Sequence, residues 1–78
     1  MIEVKLMPLL AKRAASRSEQ LRVPFAAGLT PGAVAEAEGF SGPDLDAILA
    51  VVNGMQVELD TQLADGDALE LRIGIAGG

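Results

Sequence analysis

The chain has no cysteine, histidine, tryptophan or tyrosine, and its only aromatic residues are Phe25 and Phe40 among 78 residues. Without cysteine there are no disulfides, no thiolate metal ligands and no thiol nucleophile. Without histidine the usual general base is missing, so Ser16, Ser18 and Ser41 have no imidazole to activate them. A self-contained catalyst is therefore not expected. Positive charge is also scarce: six Lys and Arg stand against eleven Asp and Glu, for a formal net charge of −5. Nucleic-acid binders carry a basic face, so this balance argues against nucleic acid as a partner. Long apolar runs are absent as well. Residues 6–11 form a short apolar stretch interrupted by Pro8 and without a basic region before it, unlike a signal peptide. Nothing approaches the roughly 20 apolar residues that span a bilayer. No membrane is expected as a partner, and the expected setting is the cytoplasm.

What is present argues for one small folded domain. Half the residues are hydrophobic, which favours a packed core over disorder. At this length only somewhat over 60% of the unfolded surface is buried, so the core is small. The charge is uneven. Residues 1–22 carry five cations against two carboxylates, and residues 23–78 carry Arg72 against nine. The acidic part favours steering toward basic clefts on partners.

Taken in order, Ile2, Val4 and Leu6 alternate with Glu3 and Lys5, the period of a half-buried strand that Pro8 ends. Residues 9–18 read as a basic connection with one helical turn. Leu21, Val23 and Phe25 alternate with Arg22 and Pro24; the proline places this strand at an edge. A turn at residues 26–29 leads to Thr30 as helix N-cap and Pro31 at the first helical position. The helix is expected to reach about Glu38 and close at Gly39, with Val34 and Ala37 inward and Phe40 beside it in the core. Phe25 is also expected to be a core residue. Asp44 and Asp46 are two acids at a turn, too few oxygens for a calcium loop, so no metal site is expected. The apolar run 47–52 reads as a strand buried on both faces. Asn53-Gly54 is a type I′ hairpin signal, followed by a short strand over 55–59. Asp65-Gly66-Asp67 forms a second turn. The last strand puts Leu69, Leu71, Ile73 and Ile75 on one face and Glu70, Arg72 and Gly74 on the other. This order is α+β: a mixed sheet of four to five strands with one short helix packed on one face. The first and last strands are expected to be parallel neighbours.

The last strand runs into Ile75-Ala76-Gly77-Gly78. The expectation is a single domain over residues 1–78 with a flexible tail from about 74. Six extended residues from Ile73 reach roughly 20 Å at about 3.3 Å each. Gly77 and Gly78 lack a Cβ and can enter a slot too narrow for other residues. The Gly78 carboxylate, with a reference pKa of about 3.3–3.7, is ionised at neutral pH. A carboxylate is a poor electrophile and must be activated, typically as an acyl-adenylate, before it forms an amide, thioester or thiocarboxylate.

Three stretches, Val51-Val52-Asn53-Gly54, Leu63-Ala64-Asp65-Gly66-Asp67-Ala68-Leu69-Glu70-Leu71 and the final Gly-Gly, carry a resemblance to the MoaD/ThiS family. These are ubiquitin-like β-grasp sulfur carriers. The resemblance implies that Gly78 is adenylated by a ubiquitin-activating-type enzyme, which uses ATP and Mg, and that the chain itself binds no cofactor. A desulfurase or rhodanese-like donor then supplies the sulfur of a thiocarboxylate. Gly77, Ala76 and Ile75 would present the tail, and Leu71, Arg72 and Ile73 would help dock partners. The long connection from Pro8 to Gln20 is closer to the small subunit of molybdopterin synthase than to ThiS, which usually has a tight turn there. That implies the large subunit of that synthase, or another sulfur-accepting enzyme, as a partner. The chain departs from the family in its short helix and in Gly74-Ile75-Ala76, where prolines are frequent. Three alternatives stay open: a thiazole-type carrier, a ubiquitin-like modifier joined to lysines, and a small regulatory or binding domain. The last arises because Asp-Gly-Asp followed by Leu-Glu-Leu is also similar to swapped-hairpin transcription factors.

Overall fold

Alternating strands at the two ends of the chain form the middle of the sheet. The computed structural model describes residues 1–74, and Ile75, Ala76, Gly77 and Gly78 lie outside the described residues. The elements are β1 (Ile2–Leu6), α1 (Pro8–Ala11), β2 (Gln20–Val23), α2 (Pro31–Ala37), α3 (Gly42–Asp46), β3 (Ile48–Val52), β4 (Met55–Val57) and β5 (Ala68–Ile73). They build one mixed sheet in the order β2-β1-β5-β3-β4. β1 and β5 run parallel, with Val4 opposite Leu69 and Leu6 opposite Leu71. β3 is antiparallel to β5 on its other side, with Ala50 opposite Leu71 and Leu49 opposite Arg72.

Because side chains alternate across a strand, one face of the sheet collects Ile2, Val4, Leu6, Ile48, Ala50, Leu69 and Leu71, all buried. Leu10, Ala11, Ala14, Val34, Ala35, Phe40 and Leu63 cover that face. The opposite face carries Glu3, Lys5, Arg22 and Arg72, all exposed.

Several local expectations hold in detail. Thr30 caps α2, its Oγ1 accepting the Ala33 N–H at 3.1 Å. Gly39 closes the helix with φ +96°. β2 lies at a sheet edge and ends at Val23, immediately before Pro24. Asn53 and Gly54 have φ of 51° and 86°, the positive values a type I′ turn requires.

Others are corrected. The second strand stops before Phe25, which is 38% exposed and lies outside the core. Pro24 ends the ladder, so nothing orients the next side chain inward. The inward residues of α2 are Pro31, Val34 and Ala35, followed by Glu38, while Ala37 is exposed. These follow the i, i+3, i+4, i+7 stripe of a helix, and Ala37 falls off it. The run 47–52 is buried on one face only: Leu49 is 37% exposed and Ala47 is exposed. β4 ends at Val57, two residues short of the expected limit; β5 is assigned over Ala68–Ile73, and the expected place of Ile75 on its inner face lies outside the described residues. The helical turn expected within residues 9–18 is α1, starting at Pro8, and the turn holding Asp44 and Asp46 is helical too, as α3; each has a proline in its first turn.

Candidate functional site

β5 is the third of the five strands in the sheet, and the approach to it is held by a polar clasp. Asn53 Nδ2–H donates to Asp67 Oδ1 at 2.9 Å, and Asn53 Oδ1 accepts the Ala68 N–H at 3.0 Å. Asp67 Oδ2 also accepts the Ala64 N–H at 2.8 Å. These bonds tie the β3–β4 hairpin to the turn that opens β5. The Ala64 N–H, and after it the Asn53 amide, hold the Asp67 carboxyl below its ordinary range. Beside this clasp the N-terminal ammonium donates to Asp65 at 2.5 Å, and the Gly66 N–H donates to the Met1 carbonyl at 3.1 Å.

With one end of β5 fixed, the other points the chain out of the sheet. Parallel pairing with β1 sends β5 past the end of that strand, where α1 begins. Met7 bridges the two: its N–H donates to the Leu71 carbonyl at 3.1 Å, and its Sδ accepts the Ile73 N–H at 3.3 Å. One residue further, the Gly74 N–H donates to the Ala47 carbonyl at 2.6 Å. Gly74 sits against Leu49 so closely that a Cβ there would lie 2.9 Å from Leu49 Cγ. This is the root from which the tail sequence continues.

The residues singled out from sequence fall into three groups here. Gly78, Gly77, Ala76 and Ile75 lie outside the described residues. Arg72 is exposed and its Nε–H donates to Glu70 at 3.0 Å, while Ile73 is half-buried opposite Ile48. Leu71 is 0% exposed. Its side chain belongs to the core and offers no docking surface, because the alternation that turns Arg72 outward turns Leu71 inward. Asp44 forms an ion pair with Arg13 at 3.2 Å. Among the described residues no group of three or more Asp or Glu is placed to hold a metal ion.

Sequence reasoning missed Met7, Ala47 and Leu49 at the tail root. A signal was available at Gly74, since a glycine in a strand pattern marks a close backbone approach. Nothing pointed to Leu49, because a continuous apolar run hides which of its members faces out.

No family model matches this sequence, and no curated protein matches it. Among solved structures the chain is similar to the crystal structure of SAMP1 from Haloferax volcanii, with 29% identity and a TM-score of 0.71. The alignment covers 99% of this chain and 98% of that one. The fold is the ubiquitin-like β-grasp. The likeness supports the ubiquitin-like carrier class for this chain, a non-catalytic kind of protein.

Proposed function

We propose that this chain is a sulfur carrier whose Gly78 carboxylate is the reacting group. A partner enzyme of the ubiquitin-activating type would bind ATP and Mg. The carboxylate attacks the α-phosphate, pyrophosphate leaves, and Gly78 becomes an acyl-adenylate. The terminal sulfur of a persulfide on a desulfurase or rhodanese-like donor then displaces AMP to give an acyl disulfide. A thiol of the partner attacks the donor's sulfur in that bond, leaving a Gly78 thiocarboxylate and a new disulfide. The thiocarboxylate passes its sulfur to an acceptor enzyme. The chain has no cysteine or histidine for such steps, so its own part is to present the tail and to dock.

The observation that carries this reading is β5. It is a central strand, parallel to β1, fixed at its start by Asn53 and Asp67 and at its end by Met7 and Ala47, and it leads directly into Ile75-Ala76-Gly77-Gly78. Exposed Arg72 and half-buried Ile73 stand beside the root, where an activating enzyme would touch the carrier.

The product we favour is molybdopterin, with the chain as the small subunit of the synthase that puts sulfur into its precursor. The β1–β2 connection supports this: it is no tight turn but contains α1 and the buried Ala14. A second reading is a protein modifier, in which a lysine amine instead of sulfur takes the activated Gly78. The ubiquitin-like fold supports it equally, since the activation step is shared.

Exchange of labelled pyrophosphate into ATP tests the shared step. With a cognate activating enzyme, exchange should require this chain and vanish when Gly77 and Gly78 are removed. Exchange that persists with the truncated chain would refute activation at Gly78.

A further inference from the structure

We infer that Gly74 is a positioning residue that sets where the tail leaves the domain, a reading that rests on the carrier function proposed above. Its reason for being glycine is space. The glycines at 28, 39, 42, 54 and 66 have positive φ and open surroundings, whereas Gly74 lies outside the left-handed region and is crowded. An added Cβ would meet Leu49 Cγ at 2.9 Å, Leu49 Cδ2 at 3.2 Å and the Ala47 carbonyl oxygen at 3.3 Å. The first of these is closer than carbon atoms tolerate, and the third is backbone. An alanine here therefore shifts Leu49 or lifts the chain off Ala47, breaking the 2.6 Å bond from the Gly74 N–H.

That bond is the last one the described structure places before the tail, and four residues follow it. Four residues span at most about 14 Å. The partner's nucleotide site must therefore lie within that distance of the surface that receives residue 74. A displaced root shifts the region within reach of those four residues, and a misplacement of about 1 Å at a reacting centre can cost about 100-fold in rate. The root is held by strand register: Leu49 lies in β3 and Ala47 directly precedes it, at the end of β3 that pairs with β5, Ile48 opposite Ile73.

A coupled pair of substitutions tests this. Gly74→Ala should lower kcat/KM for the carrier in pyrophosphate exchange by at least about tenfold. It should also remove the hydrogen-exchange protection of the amide at position 74, measured by NMR without any partner. In a Leu49→Ala background the same change should cost less than about threefold relative to Leu49→Ala alone, because the two Leu49 contacts are gone and only the 3.3 Å approach to the Ala47 carbonyl oxygen remains, and protection should return. Equal losses in both backgrounds would overturn the inference, since they would mean that the partner's slot requires glycine itself. An unprotected Gly74 amide in the native chain, or full activity of Gly74→Ala, would overturn it too. Absence of exchange with the native chain would instead overturn the carrier reading, and this inference with it.

Discussion

Leu71→Ala separates packing from docking at the strand that leads to the tail. Leu71 is fully buried at the centre of β5, between Leu6 on β1 and Ala50 on β3. Truncating such a leucine costs about 2–5 kcal/mol, the transfer of the lost carbons plus the cavity they leave. A domain of this size holds only about 4–12 kcal/mol in total, at about 0.05–0.15 kcal/mol per residue. One substitution thus removes a large fraction of the stability. The urea midpoint should fall by about 2 M or more at an m-value near 1 kcal/mol/M. The melting temperature should drop by at least about 10 °C. With no tryptophan or tyrosine in the chain, far-UV circular dichroism is the probe to use. Arg72→Ala, one residue away but exposed, should change stability by no more than about 0.5 kcal/mol, while lowering the rate of activation if Arg72 meets the partner. A Leu71→Ala loss below about 1 kcal/mol with unchanged m-value would refute the packing argument.

Other predictions follow from the clasp and the helix cap. Asn53→Ala forfeits the bond from the Ala68 N–H and forces alanine into φ of 51°; those two effects together should cost about 1–3 kcal/mol in chemical denaturation. Asn53→Gly, which keeps the backbone conformation free, should cost less. Asp67 has a folded pKa lowered by the Ala64 N–H and the Asn53 amide. Its stabilisation is therefore present above the ordinary aspartate pKa of about 3.9 and lost as pH falls through the folded value. Melting curves from pH 6 downward should show a shallower acid decline for Asp67→Asn than for the native chain; parallel declines would contradict this. Thr30→Ala removes the side-chain acceptor of the Ala33 N–H and should cost about 1 kcal/mol, read as a shift in urea midpoint.

The fold was legible wherever one pattern had one physical cause. The Ile2-Val4-Leu6 alternation, the Thr30-Pro31 start of α2 and the Asn53-Gly54 turn each appear where the sequence places them. Pairing of β1 with β5 followed from two well-patterned strands needing a common core. Legibility failed where composition alone had to choose a face. The apolar run before Asn53 contains no polar residue to mark its outer side, so Leu49 passed as core although it lies against the tail root. Leu71 was misplaced for the opposite reason: proximity to the tail was given more weight than the alternation that buries it. Pro8 ends β1 as its position predicts, and because proline also suits the first turn of a helix, the helical turn expected within residues 9–18 starts one residue earlier, as α1 over Pro8–Ala11. At the candidate site the sequence singles out Gly78 and its neighbours in the tail, which lie outside the described residues. The contacts through Met7, Ala47 and Leu49 depend on long-range register, which no local pattern reveals.

The most direct test of the central claim is the intact mass of the chain after incubation with ATP, magnesium, a cognate activating enzyme and a sulfur donor. The carrier account predicts the mass change of one oxygen replaced by one sulfur, confined by fragmentation to Gly78 and absent from a chain lacking that residue. An unchanged mass with an activating enzyme shown to be active, or attachment of the chain to lysines of other proteins in place of that change, would contradict it.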